Sequence, residues 1–256
     1  MHRTAPRLAR VLACAVVPVM LVVSGCSSDS GSDSGSDSAK KPGSGQTGAS
    51  AGTQDSGAAL ATPEASKSRE ILPAKYAKLP AACQAVSGKT VGALVPSVKD
   101  KDGASSRTSD SMSRAGCSWN GLDDKGVKGS QYRWLDVAFQ RYESEAALGS
   151  DGAERAKENY TKELSKARAA EGARDLKTAP LSGVGDEAQT VSYGLRKTDA
   201  DFSYVTVVSR TENVVVSLTY NGTGYAGAKG PSVADLAKDA VAAAKEAVGS
   251  VARANK

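Results

Sequence analysis

Histidine is almost missing from this chain. The only imidazole among its 256 residues belongs to His2, so a domain built from the later residues must work without that side chain. Ser-His-Asp and Cys-His nucleophilic catalysis, and zinc sites with histidine ligands, are thereby excluded for such a domain. We expect no metal site and no cofactor, and we predict that the protein is not an enzyme.

A long hydrophobic run is also missing. Residues 11–23 form an apolar stretch of about 13 residues, whereas a helix that spans a bilayer needs roughly 20. Arg3, Arg7 and Arg10 precede this stretch, which is the layout of a secretory signal. The stretch ends in Val22-Val23-Ser24-Gly25-Cys26 and resembles the lipobox of bacterial lipoproteins, in which the cysteine receives a diacylglycerol thioether.

The lipobox resemblance predicts a location. Residues 1–25 would be the signal peptide, and Cys26 would be the lipid attachment site that anchors the protein, extracytoplasmic, to the outer face of the cell membrane. The alternative is a secreted protein with an incidental thiol at Cys26. No A-x-A cleavage site follows the apolar run, which favours the lipoprotein.

Cysteine is scarce, and this restricts its chemistry. Of the four cysteines, Cys14 leaves with the signal and Cys26 is acylated, so Cys83 and Cys117 remain. A disulfide between them is the default expectation outside the cytoplasm. A redox couple or a metal site is the alternative, but the sequence has neither a C-x-x-C pair nor a partner ligand.

Excess charge is lacking too. The chain has 33 Lys and Arg against 28 Asp and Glu, and residues 1–25 hold three of the arginines and no acid, which leaves 30 against 28, a net charge of +2. These basic residues form no run, so we expect no nucleic-acid partner.

The sequence then divides into two parts. Residues 26–68 are rich in Ser, Gly and Asp and lack aromatic side chains, a composition that cannot bury enough apolar surface to fold. We predict a disordered linker there. Residues 69–256 are long enough for a single domain with its own core.

The hydrophobic pattern of residues 69–256 predicts an α+β domain, an antiparallel β-sheet flanked by helices. Ser87 caps a helix that stops at Pro96, a polar loop covers residues 97–116, and Cys117 begins a strand. Asn221-Gly222 is typical of a turn. The further predicted elements are a strand at 131–142, a helix at 145–170, strands at 187–193, 202–210 and 213–221, and a helix at 231–252 with Pro231 in its first turn.

Residues 131–142 carry apolar side chains on both faces of their strand. Leu135, Val137 and Phe139 point to one face, and the other face is a candidate binding surface made of Tyr132, Trp134, Asp136 and Tyr142. Packing beneath a helix would produce the same pattern. We interpret Asp136 as a hydrogen-bonded structural acid rather than a catalyst.

Several segments resemble a known family. Leu79-Pro80-Ala81-Ala82-Cys83, Cys117-Ser118-Trp119, the turn at 183–188 and the final strand pair are similar to actinobacterial lipoproteins built around a single domain of unknown function, which have a PsbP-like fold. The resemblance implies an antiparallel sheet flanked by helices, a Cys83–Cys117 pair and a cell-envelope location. It supplies no catalytic residue.

Two functions from different classes fit these expectations. The first is a membrane-anchored lipoprotein whose non-catalytic domain binds an envelope protein, a wall component or a small apolar ligand. The second is a carboxylate-dependent hydrolase of envelope polysaccharide, which needs two carboxyl groups facing each other at about 5 to 10 Å. Asp186-Glu187 and the pair Glu143 and Glu145 are better explained as solvated loop acids.

Overall fold

The structure is a computed structural model, and it describes residues 70–256. The predicted signal peptide 1–25, the lipid attachment site Cys26 and the linker 26–68 lie outside the described residues. Within residues 70–256, no helix is both long and apolar enough to cross a membrane.

The described residues form a seven-stranded antiparallel sheet in the order β1-β2-β3-β7-β6-β5-β4, with three helices. This confirms the predicted α+β class. The strands are β1 Ala104–Ser105, β2 Arg114–Asp123, β3 Ser130–Arg141, β4 Arg174–Leu181, β5 Glu187–Lys197, β6 Ala200–Thr211 and β7 Val214–Tyr225, and the helices are α1 Gly88–Leu94, α2 Gly152–Arg168 and α3 Val233–Ala254.

One face of the sheet carries the main core. The predicted inward side chains of β3, Leu135, Val137 and Phe139, are fully buried there together with valines and leucines from β6 and β7. Helix α3 covers this face with Leu236, Val251 and a row of buried alanines between them. Because alanine side chains are short, the helix can lie close to the valine-rich strands.

Helix α2 covers only part of the opposite face. Its buried side chains Ala156, Tyr160 and Leu164 pack on Val208 and Val215 and their neighbours in a second, smaller cluster. The rest of this face, toward the beginning of β3 and the end of β7, has no described helix over it.

The disulfide joins the segment before α1 to the sheet. Cys83 and Cys117 are bonded, with a Cα–Cα distance of 5.0 Å. Cys117 lies beneath Gly103, where a Cβ atom would come within 2.6 Å of the Cys117 Sγ. Gly103 also has φ +76°, a backbone conformation that favours glycine, so this turn closes tightly over the disulfide.

Two asparagines hold residues 76–78 against the rest of the domain. Asn213 is 1% exposed; its Oδ1 accepts from the Tyr76 N–H, and its Nδ2 donates to the carbonyls of Tyr76 and Tyr142. Near the end of the chain, Asn255 Oδ1 accepts from the N–H groups of residues 77 and 78. The segment that follows the predicted linker is therefore attached to the turn before β7 and to the end of α3.

Several predicted boundaries are wrong. The segment 97–116 is not a continuous loop, because it contains β1, and β2 begins at Arg114. Residues 114–116 lack apolar alternation and become a strand through their pairing with β3. Strand β4 was not predicted: it is an edge strand, exposed almost throughout, and contains Pro180, which is tolerated at sheet edges.

Two helix starts also differ from the prediction. Helix α2 begins at Gly152 rather than near residue 145, because Asp151 and Glu154 form a capping box there; this stops the helix from extending toward residue 145. Pro231 precedes α3 rather than occupying its first turn, since Ser232 is the N-cap and its side chain accepts from the Asp235 N–H.

Candidate functional site

The uncovered part of the α2 face forms an aromatic groove. We define it by five side chains from three strands: Tyr132 and Trp134 of β3, Phe202 and Tyr204 of β6, and Tyr225 of β7. The cavity between them measures about 570 Å³, within the usual range for small-molecule sites.

Strand alternation and register explain why these side chains meet. Strand β7 lies between β3 and β6 in the sheet, and in that register Trp134 is opposite Asn221, which in turn is opposite Tyr204. Directly opposed residues in an antiparallel sheet project to the same face. One row across three strands thus contributes an aromatic side chain, an amide and a second aromatic side chain.

Phe202 is the centre of the aromatic contacts. Its ring lies edge-on to Tyr132 at 6.1 Å and to Tyr225 at 6.5 Å, measured between ring centroids, and lies 6.1 Å from Tyr204. Tyr204 stacks in parallel on Tyr193 at 5.1 Å. Each such pair contributes about 0.5–1.5 kcal/mol beyond area burial, so the walls of the groove are held in place without a ligand.

This concentration of aromatic side chains is unusual for the chain. It has twelve aromatic residues, and six of them, the five of the groove and the adjoining Tyr193, lie on this partly open sheet face. Aromatic side chains usually contribute their area to the core. Their collection on an open face makes this face a candidate binding surface.

Polar side chains line the floor of the groove, and two of them lack partners. Asp136 of β3 has no hydrogen bond and no ion pair with any residue that the structure describes. Asn221 is 6% exposed, and its side-chain amide likewise has no hydrogen-bond partner within residues 70–256. Thr219, opposite Asp136, shares a 3.0 Å hydrogen bond with Thr206.

Burial raises the pKa of Asp136 above that of an ordinary aspartate, because the groove replaces part of the water around its carboxylate. Because no described residue forms a hydrogen bond with its carboxylate, the interpretation of Asp136 as a hydrogen-bonded acid is wrong. An apolar site with a partner-free carboxylate is a typical arrangement for a functional residue.

Lys197 of β5 lies at the rim of the groove. Its Nζ donates to the Tyr204 hydroxyl at 3.0 Å and lies 5.2 Å from the centre of the Tyr204 ring. This distance is within the range of a cation–π interaction. The side chain is exposed and forms no ion pair with Asp136 within 4 Å.

The four residues predicted as a binding surface do not all lie together. Tyr132, Trp134 and Asp136 line the groove, but Tyr142 packs beside α2 and donates its hydroxyl to Gln140. Helix α2 thus covers Tyr142 and leaves the other three side chains accessible.

The sequence interpretation missed the far wall of the groove. Phe202 and Tyr204 belong to a predicted strand, but their alignment with β3 depends on β7, and no local signal specifies that register. Asn221 and Tyr225 were missed because Asn221-Gly222, predicted as a turn, lies inside β7, which continues to Tyr225.

The remaining acids do not form a facing pair in the groove. Asp186 and Glu187 both pair with Arg210, Glu143 pairs with Arg141, and Glu145 pairs with Arg155. Among the described residues that line the groove, Asp136 is the only carboxylate. Residues 70–256 also contain no cluster of three or more side chains suited to a metal ion.

A second cavity, of about 450 Å³, lies near the other end of β3. It is lined by charged side chains such as Arg141 and Arg155, whose ion pairs with Glu143 and Glu145 already compensate their charge. The aromatic groove is the better candidate, because it combines apolar walls with partner-free polar groups.

Neither a family model nor a curated protein nor a solved structure matches the chain. The candidate site therefore depends on the geometry of the groove alone.

Proposed function

We propose that this protein is a cell-envelope lipoprotein, anchored through Cys26 to the outer face of the cell membrane, whose folded domain binds a ligand in the aromatic groove without catalysing a reaction. The apolar run that ends at Cys26 supports the anchor. The linker would give the domain a root-mean-square reach of roughly 35 Å from the membrane. The resemblance to actinobacterial lipoproteins with a PsbP-like fold is part of this proposal.

The observation that carries the binding function is the open, prearranged aromatic groove with partner-free polar side chains on its floor. Leaving aromatic surface in water lowers stability by roughly 25 cal/mol for each Å² of apolar area that could have been buried. Leaving Asp136 and Asn221 unpaired in a partly desolvated site lowers it further. A ligand that covers the rings and pairs with these groups would recover both losses.

The protein contains its own reporter for this proposal. It has two tryptophans: Trp119 is 1% exposed and donates its indole N–H to the Lys101 carbonyl, whereas Trp134 lines the groove. A ligand that enters the groove should change the emission of Trp134 and leave that of Trp119 unchanged. We would titrate the chain, produced without residues 1–25 and with Cys26→Ala, with a small-molecule extract of bacterial envelopes.

The controls separate groove binding from other effects. Trp134→Phe should abolish the emission change, and Phe202→Ser should abolish binding, because Phe202 contacts three of the other groove rings. Val127→Ser removes an apolar side chain that is 96% exposed and does not line the groove, so it should behave as the unsubstituted chain does. An unchanged Trp134 emission, or an equal change in the Phe202→Ser chain, would contradict the proposal.

A carboxylate-dependent hydrolase of envelope polysaccharide is the second candidate. Asp136 favours it, because a carboxyl group with a raised pKa is what a general acid requires. Such hydrolysis also needs a second carboxyl group, and the described part of the groove supplies only Asp136. Release of reducing sugar ends from peptidoglycan, abolished by Asp136→Asn in a folded protein, would replace the binding proposal with this one.

A further inference from the structure

We infer that the aromatic groove recognises an organic cation, a small molecule with an alkylated or quaternary ammonium group. This inference extends the proposed binding function to a ligand class and depends on it. The geometry that supports it is the combination of several ring faces with one partner-free carboxylate, Asp136, in a single cavity.

The rings supply the first part of the recognition. An ammonium group is attracted to the face of Trp, Tyr or Phe when it lies within about 6 Å of the ring centre, with Trp the strongest of the three. Trp134, Tyr132, Phe202 and Tyr204 all line one cavity of about 570 Å³. An alkylated ammonium group can use several of these faces at once, and its methyl groups bury the apolar area that a bare ammonium cannot.

Asp136 supplies the second part, which is charge complementarity. It is the only acid among the described residues of the groove, and no ion pair or hydrogen bond occupies it. A neutral ligand would leave this carboxylate desolvated and unpaired, and an anionic ligand would be repelled by it. A cation offsets the desolvation penalty on Asp136 through its attraction to the carboxylate.

Lys197 shows this chemistry within the chain itself. Its ammonium group contacts the ring and the hydroxyl of Tyr204 at the rim of the groove. A ligand cation would compete with Lys197 for that ring and be repelled by its charge. Removing the charge of Lys197 should therefore strengthen the binding of a cationic ligand. A groove that recognises neutral ligands would not show this gain in affinity.

The test compares two probes of nearly equal shape. Choline has a quaternary ammonium group, and 3,3-dimethylbutan-1-ol replaces that nitrogen with carbon and is neutral. We would measure both affinities by isothermal titration calorimetry on the chain without residues 1–25 and with Cys26→Ala, and follow Trp134 emission to locate the binding. We expect choline to bind at least about tenfold more tightly, a difference of about 1.4 kcal/mol.

Three variants assign this difference to the groove. Asp136→Asn should lower choline affinity by about tenfold, equivalent to about 1.4 kcal/mol, and leave the affinity for the neutral probe unchanged. Lys197→Met should raise choline affinity, while Lys197→Arg, which keeps the charge, should not. Each variant is first compared with the parent chain by urea unfolding, so that a loss of folding is distinguished from a loss of binding.

The pH dependence provides an independent readout. Choline binding should weaken as the pH falls through the pKa of Asp136, because protonation removes the charge that the cation needs. Binding of the neutral probe, and choline binding by Asp136→Asn, should stay constant over that range. The other ionisable side chains that line the groove are Lys197 and the tyrosines. The residues opposite Asp136 on β2 and β7 are Ser118 and Thr219, which carry no acidic or basic group.

The outcomes are distinguishable from those of the proposed function. Equal affinity for the two probes, or an Asp136→Asn chain that binds choline normally, would overturn the cation inference while leaving ligand binding intact. A Trp134 response to envelope extract without any choline binding would also overturn the cation inference and leave ligand binding intact. No response to either probe or to the extract would overturn the inference and the proposed function together.

Discussion

Removing the disulfide should strongly destabilise the domain. Cys83 and Cys117 are separated by 34 residues, and the chain-entropy estimate for a closed loop of that length is about 4 kcal/mol. A typical domain is stable by only about 5–15 kcal/mol, so this single bond accounts for a large share. The free energy of unfolding should therefore fall by about 3–4 kcal/mol in the Cys83→Ala, Cys117→Ala double variant.

Urea unfolding followed by Trp119 emission measures this change, because Trp119 is buried beside Cys117 in strand β2. The slope of the unfolding transition should also be larger in the double variant, since its unfolded chain is no longer cross-linked and exposes more surface. Reduction of the parent chain should reproduce the effect of the two substitutions. The reduced parent chain also serves as a control for the small void that the alanine at position 117 leaves.

Thiol titration supplies the refuting result. The unfolded, unreduced chain with Cys26→Ala, exported from its natural host, should show no free cysteine at positions 83 and 117. Two titratable thiols would contradict the disulfide, and a loss of stability below about 1 kcal/mol in the double variant would contradict the entropy argument.

Three further changes have defined outcomes. Asp136→Asn should raise the free energy of unfolding at neutral pH, because burial raises the pKa of the folded carboxyl group and its charged form therefore opposes folding. This gain should vanish below the ordinary aspartate pKa, and urea unfolding at several pH values measures it. Asn213→Ala should lower the unfolding free energy by about 2–4 kcal/mol, since it leaves the N–H and carbonyl of Tyr76 and the carbonyl of Tyr142 without their partner. Cys26→Ala should release the protein from membranes or block its processing, as fractionation of cells would show, and normal cleavage with unchanged membrane retention would contradict the lipid anchor.

The alternation of residues 131–142 predicted which side chains of β3 lie on the same face of the sheet. It correctly separated Leu135, Val137 and Phe139 from Tyr132, Trp134 and Asp136, because alternation is a local property of a strand. It did not predict that Tyr142 is covered and Trp134 is not. That difference depends on where α2 begins and ends, which is set by packing between distant segments.

The far wall of the groove required information that is not local. Phe202 and Tyr204 reach the groove only because β7 lies between β3 and β6 in a definite register. Pairing between strands distant in the chain depends on tertiary packing rather than on a motif. Strand β4 was missed for a related reason: as an exposed edge strand, it has no buried face to produce alternation.

The aromatic groove as a ligand site is the central claim, and native mass spectrometry of protein isolated from its host tests it most directly. The chain with Cys26→Ala, released under non-denaturing conditions, should carry an additional small-molecule mass. The same mass should be present on Val127→Ser and absent from Phe202→Ser and Trp134→Ser, provided that these variants unfold cooperatively in urea. A bare chain mass together with no Trp134 response to envelope extract, or a bound mass that persists in both groove variants, would contradict the account.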